Sequence, residues 1–119
     1  MEEILKKEIS LEKSSRIGLF GGSFNPAHEW HFQVANHASK ILALDKVIWL
    51  VSPHNPLKDK KTLFSLKDRL ASAKEIAKSS SFIITDIEKK LKTQYSIDTI
   101  SIFQKTFVTK KFVWIMGSD

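Results

Sequence analysis

An α/β domain with a parallel sheet of about four strands, flanked by helices, is what this 119-residue sequence predicts. Three observations carry the expectation. Short apolar runs alternate along the chain with longer stretches whose apolar residues recur at helical spacing. The run Lys46 to Val51 is nearly continuous in apolar residues, which suits a parallel strand covered on both faces. No internal repeat or interdomain linker interrupts the order, and such an alternation builds a single right-handed, doubly wound sheet.

Residues 1–15 read as an N-terminal extension ahead of a domain spanning 16–119. In the extension Ile4, Leu5, Ile9 and Leu11 could line one side of a short amphipathic helix. Arg16 to Phe20 is a short apolar strand, central in the sheet. From Trp30 to Ala43, residues Val34, Ala35, Ala38, Ile41 and Leu42 recur at helical spacing. Asp45 opens the turn into the strand Lys46 to Val51. Ser52 to Lys61 is a loop by its prolines and charges. Ser65 is placed as the N-cap of a helix to about Lys78, with Leu66, Leu70, Ala73, Ile76 and Ala77 as its buried side. Phe82 to Thr85 is a third strand, and a polar loop carries Thr93 to Ser96. Ile97 to Phe107 is a helix with Ile97, Ile100 and Phe103 inward. Lys111 to Met116 is the fourth strand, followed by Gly117, Ser118 and Asp119.

Composition narrows the function classes. The net charge is +6, and Arg16 and Arg69 are the only arginines. The lysines fall in scattered pairs such as Lys60-Lys61, Lys89-Lys90 and Lys110-Lys111, which reads as a solvated surface. Such a surface is expected rather than a nucleic-acid groove, and an anionic small substrate would also suit the sign. There is no cysteine, so thiolate chemistry and disulfides are excluded. No apolar run approaches the ~20 residues a membrane span needs, and residues 1–15 lack a signal-peptide core. A cytoplasmic protein is expected.

The chemistry points to one stretch, Gly18 to His31. An apolar strand runs into Gly21-Gly22, then Ser23, Phe24 and a turn-forming Asn25-Pro26, then His28 and His31 at the start of a helix. Adjacent glycines let backbone N–H groups approach a ligand closely. A helix N-terminus favours an anion, and two imidazoles there could donate to phosphate oxygens. The plainer rival is a Gly-Gly turn with surface histidines. In a doubly wound sheet ligands bind beyond the carboxyl ends of the strands. The glycine loop, the Pro53–Lys61 loop, part of Thr93–Ser96 and Gly117–Asp119 are expected to gather there.

Gly21-Gly22-Ser23-Phe24-Asn25-Pro26-Ala27-His28, followed by His31, resembles the signature Gly-Gly-(Thr/Ser)-Phe-(Asp/Asn)-Pro-x-His-x-Gly-His. That signature belongs to nucleotidyltransferases related to nicotinate-nucleotide adenylyltransferase. Trp30 stands where the pattern has its last glycine. Collinear likenesses follow in Val51-Ser52-Pro53 with Asn55-Pro56-Leu57-Lys58, in Arg69, in Thr85-Asp86-Ile87-Glu88, in Gln94 to Thr99, and in Gly117-Ser118-Asp119. The resemblance covers Arg16 to Asp119 and implies a Rossmann-like nucleotidyltransferase fold. It implies an enzyme of NAD biosynthesis that joins ATP and nicotinate mononucleotide, releasing pyrophosphate, with Mg²⁺ brought on the ATP and no dedicated protein metal site.

By that likeness His28 and His31 hold the ATP phosphates and the transition state. Gly21, Gly22, Ser23 and Phe24 cradle the nucleotide, with Gly117 and Asp119 on the adenosine side. Asn25, Lys58, Tyr95 and Ser96 meet the mononucleotide. Plainer readings stand beside these: Lys58 as one more solvated lysine, and Tyr95 with Asp98-Thr99 as packing or capping groups of the last helix. His37 and His54 are read as surface residues.

Two departures lead the sequence to be read as a C-terminally truncated member of impaired activity. Trp30 is expected to block ATP or to shift the histidines. The family's fifth strand and its Ile-Ser-x-(Thr/Ser)-x-x-Arg segment are not found. The alternative is a non-catalytic fragment that binds a nucleotide or a partner, and a weaker one is a basic nucleic-acid-binding module. The apolar strand 112–116, left at a sheet edge, is expected to support self-association.

Overall fold

The computed structural model describes residues 2–53, 64–93 and 96–116. Its elements are α1 (Glu2–Glu8), β1 (Arg16–Gly22), α2 (Glu29–Ile41), β2 (Lys46–Val51), α3 (Leu66–Ile76), β3 (Phe82–Thr85), α4 (Ile87–Leu91), α5 (Ser96–Thr106) and β4 (Lys111–Met116). The strands form one parallel sheet in the order β3-β2-β1-β4. As expected, β1 is central. It pairs with β2 from Ile17↔Lys46 to Gly22↔Val51 and with β4 from Arg16↔Lys111 to Gly21↔Met116.

Two cores form because the sheet is covered on both faces. Side chains of β2 alternate with the two-residue period of a strand. Val47, Trp49 and Val51 join Phe20, Ala35 of α2 and Ala73 of α3 on one face. Ile48 and Leu50 join Ile17, Leu19, Ile87 and Leu91 of α4, and Phe103 of α5 on the other. Right-handed crossovers require this division. The connections β1 to β2 and β2 to β3 move outward one way and carry their helices on one face. The return from β3 to β4 carries α4 and α5 on the opposite face.

The first residues pack into the second core. Leu5 of α1, with Ile9 and Leu11 beyond it, is buried against that side of the sheet. Lys90 of α4 forms an ion pair with Glu8, and the Lys110 ammonium donates to the Glu12 carbonyl at 3.3 Å. At the start of the sheet, the Asp45 carboxylate accepts from the Ser15 N–H at 2.8 Å, the Ser15 hydroxyl at 3.1 Å and the Arg16 N–H at 3.1 Å. These bonds, the Ser15 N–H foremost, hold its carboxyl below the usual carboxylate range.

Several expectations change in detail. β1 does not stop at Phe20: its ladder continues to Gly22, whose carbonyl accepts the Ser52 N–H at 2.9 Å. α4 was not foreseen. Its Ile87 and Leu91, four apart, are fully buried, and Lys92 ends it in a left-handed conformation with φ 57°. Ile97 was expected inward and is 75% exposed. Buried Thr99, Phe103 and Thr106 set the inner face of α5, and at about 100° per residue Ile97 points nearly away from Thr99. Ile41, one of the apolar residues at helical spacing in α2, is 66% exposed because His31 and Ala35 fix the inner face of that helix. Ser65 does cap α3, its hydroxyl accepting the Asp68 N–H at 3.1 Å.

Candidate active site

The candidate site is built where β1 and β2 end side by side. From Gly22 the chain turns through Ser23–Ala27 and enters α2 with His28 as N-cap, its backbone extended at φ −145°, ψ 175°. Phe24 makes the turn possible at φ 49°, a left-handed conformation uncommon for a residue with a bulky side chain. The Asn25–Pro26 peptide is cis. Packing holds Phe24 there. Its buried ring stacks on Trp49 with centroids 5.3 Å apart, meets Phe20 edge-on at 5.4 Å, and meets the His31 ring at 4.9 Å. What Phe24 can offer a ligand is therefore its backbone.

Close packing also explains the glycine pair. A Cβ on Gly21 would stand 2.6 Å from Cη2 of Trp114, and one on Gly22 would stand 3.3 Å from Cζ of Phe24. No glycine among the described residues has positive φ. Gly21 is needed so that the Trp114 indole can lie across the end of β1.

The two histidines differ in exposure. His28 is exposed at the mouth, whereas His31 is 2% exposed behind it, with ring centroids 4.0 Å apart. The His28 N–H donates to Nδ1 of His31 at 3.1 Å. In a neutral imidazole that leaves the proton on Nε2, so the bond fixes both the ring and its tautomer. It also satisfies one of the donors at the start of α2.

α3 and the residue leading into it grip this turn from behind. The Asn25 side-chain oxygen accepts the Phe64 N–H at 2.7 Å, and the Ser72 hydroxyl accepts the Ala27 N–H at 3.0 Å. Arg69, 1% exposed, donates from Nε to the Phe64 carbonyl at 2.9 Å and from Nη1 to the Ser23 and Ser52 carbonyls at 3.0 and 2.6 Å. Its Nη2 donates to the Pro53 carbonyl at 3.0 Å. Burial pushes the guanidinium pKa down from its ordinary value. The sequence flagged Arg69 only as a family likeness, although an arginine in the i, i+4 row with Ala73 was a signal of burial.

The predicted site residues fall into two groups. Gly21, Gly22, Ser23, Phe24, Asn25, His28 and His31 come together at the carboxyl edge of the sheet. Lys58, Tyr95, Gly117 and Asp119 lie outside the described residues, as does the side chain of Ser96. Trp30 is 58% exposed on the outer side of α2, beside Gln33, Val34, His37 and Lys40. His31 is buried and bonded to the His28 N–H with this indole turned outward. Of the Asp98-Thr99 pair, Thr99 is a packing group: its buried hydroxyl donates to Glu88 at 2.8 Å and lies 2.9 Å from the Thr93 hydroxyl. Burial raises the Glu88 carboxyl above its usual range. Among the described residues no three His, Asp or Glu side chains are placed to hold a metal ion. None of their helices is long and apolar enough to cross a membrane.

A parallel sheet with helices on both faces, and a strand-to-helix turn carrying a histidine pair at its carboxyl edge, defines a doubly wound α/β domain. The chain belongs to the cytidylyltransferase-like family, whose model matches residues 19–119. It is 51% identical over 104 residues to a Caulobacter protein named "Probable nicotinate-nucleotide adenylyltransferase", covering 87% of this chain and 55% of that one. It is 46% identical to a protein of the same name from Parvibaculum lavamentivorans, covering 87% and 52%. The chain thus spans about half the length of the curated relatives it matches. A crystal structure of a Vibrio parahaemolyticus protein, also named for nicotinate-nucleotide adenylyltransferase, superposes with TM-score 0.66 at 21% identity over 88% of this chain and 62% of that one. That likeness establishes the Rossmann-like nucleotidyltransferase fold.

Proposed function

We propose that this domain binds ATP by its phosphates at the β1–α2 turn and serves adenylyl transfer to nicotinate mononucleotide, a cytoplasmic step of NAD biosynthesis. The observation that carries the reading is the His28–His31 pair, one exposed and one buried, locked together at the first turn of α2. A phosphate oxygen of the mononucleotide attacks the α-phosphorus of ATP in line. The new P–O bond forms as the bond to the bridging oxygen breaks, and pyrophosphate leaves. An ionised phosphate has no proton to give up, so the protein acts by positioning and by offsetting charge. His28 meets the polyphosphate, and the Nε2–H of His31 supports it from behind. Gly21, Gly22, Ser23 and Phe24 supply backbone. Asn25, Lys58, Tyr95 and Ser96 serve the mononucleotide, and Gly117 and Asp119 the adenosine. Mg²⁺ enters as part of the nucleotide, held by phosphate oxygens.

Nucleotide binding without turnover is the second reading, and Trp30 favours it. Trp30, at the second position of α2, adjoins the helix end where a triphosphate would lie, although its indole rests on the outer side of the helix. Pyrophosphate release from Mg-ATP and nicotinate mononucleotide, with Trp30→Gly beside the natural chain, separates the two. Turnover by the natural chain supports the enzyme reading. Turnover only in the glycine variant makes Trp30 the obstruction. Silence from both, with ATP still bound, supports binding alone. The edge of β4 that does not face β1 is proposed as a surface for pairing with a second copy.

A further inference from the structure

We infer that Arg69 is the positioning residue of the candidate site, a clamp that sets the Ser23–Ala27 turn against the exit of β2. The inference deepens the phosphate-site reading, and the clamp itself stands on geometry. The guanidinium uses four hydrogen bonds to join three segments: the β1 exit at Ser23, the β2 exit at Ser52 and Pro53, and the chain entering α3 at Phe64. The planar fork of arginine can serve such divergent acceptors at once, and a lysine ammonium on one stem cannot reproduce the arrangement. Among the described residues every partner of this head group is a neutral carbonyl oxygen. Burying a cation without a carboxylate is costly. A leucine or methionine would fill an ordinary core position of α3 more favourably, so the charge and the fork serve something other than packing.

They serve the backbone of the site. A trans peptide aims its C=O and N–H in opposite directions. Drawing the Ser23 carbonyl toward Arg69 therefore turns the Phe24 N–H the other way. That N–H has no acceptor among the described residues. Two further bonds hold the turn, one from Phe64, just ahead of α3, to Asn25 and one between Ala27 and Ser72 of α3. Residues 23 and 27 are thus tied to α3 and residue 25 to the chain leading into it, and His28 follows directly. The positive charge of Arg69 lies under the turn, where it adds to the potential that the α2 N-terminus offers an anion.

The test is amide hydrogen exchange in the natural chain, Arg69→Lys and Ser72→Ala, followed by titration of each with Mg-ATP. Exchange needs no ligand, so it reads the clamp even if the nucleotide does not bind. In Arg69→Lys the Ser52 and Ala27 amides are expected to exchange at least ~10-fold faster, while Leu19 and Ile48 in the sheet stay within about two-fold. Ser72→Ala should accelerate Ala27 alone. Mg-ATP should bind Arg69→Lys about 10-fold more weakly than the natural chain, because a phosphate cradle displaced by about 1 Å loses that much or more. Unchanged exchange at Ser52 and Ala27 in a folded Arg69→Lys chain overturns the inference. So does acceleration of sheet and turn together, which would make Arg69 a general core residue. A natural chain that shows no Mg-ATP binding, with the exchange pattern as expected, refutes the phosphate-site reading and leaves the clamp.

Discussion

Gly21→Ala is the sharpest test of how the end of β1 is packed. The new Cβ would lie 2.6 Å from Cη2 and 2.9 Å from Cζ2 of Trp114, atoms of one rigid ring. Carbon atoms rest at ~3.5–4.0 Å, so the overlap is about 1 Å. Either the indole tilts outward along the edge strand or β1 and β4 shift apart. Overpacking of this size costs about 1–3 kcal/mol. Gly→Ala returns ~0.4–1 kcal/mol by restricting the unfolded chain. The net loss is about 1–2 kcal/mol, a fall in Tm of roughly 4–8 °C for a domain of this size. Thermal and urea melts of Gly21→Ala, Trp114→Val and the double variant read it. The double variant should be more stable than the sum of the singles predicts, by about 1 kcal/mol, since valine vacates the clash. A Gly21→Ala chain as stable as the natural one, or strict additivity, would refute the packing argument.

Other expectations follow from charge and from the open edge. Asp45 has a lowered carboxyl pKa in the folded chain, so its contribution is present above its ordinary 3.8 and is lost as pH falls through the folded value. Asp45→Ala should melt earlier than the natural chain at neutral pH, with the difference shrinking in acid; a constant difference would contradict this. Glu88 is shifted the other way, so its ionisation opposes folding and stability is lost as pH rises through the raised value. Glu88→Gln keeps an acceptor for Thr99 and should match the natural chain in acid but melt higher in alkaline buffer; a lower Tm there would be the opposite result. Pairing through β4 predicts a sedimentation coefficient that rises with concentration, and a monomer at every concentration would remove the proposed surface.

The parallel sheet was legible because its strands are buried on both faces and its helices carry one apolar side. The β1–α2 turn was legible because glycines, Asn-Pro and two histidines follow a strand without a gap. Phase was harder to read. Ile41 and Ile97 are apolar and helical, yet which way they face depends on Ala35 and Thr99, and those are set by the sheet they pack on. α4 escaped because five residues with two apolar positions give too little periodicity. The reason for Gly21 was hidden for a different cause. Its neighbour Trp114 lies far along the chain and arrives only when β4 pairs with β1. Arg69 was visible as an arginine but not as a clamp, since its acceptors are carbonyl oxygens that any sequence carries.

The most direct test of the central claim is a Mg-ATP titration of the isotopically labelled chain, followed at its amides and histidine ring protons. The account predicts changes concentrated at Gly21, Gly22, Phe24, His28 and His31, abolished in His28→Ala. Perturbations scattered over surface lysines, or none at the β1–α2 turn, would contradict it.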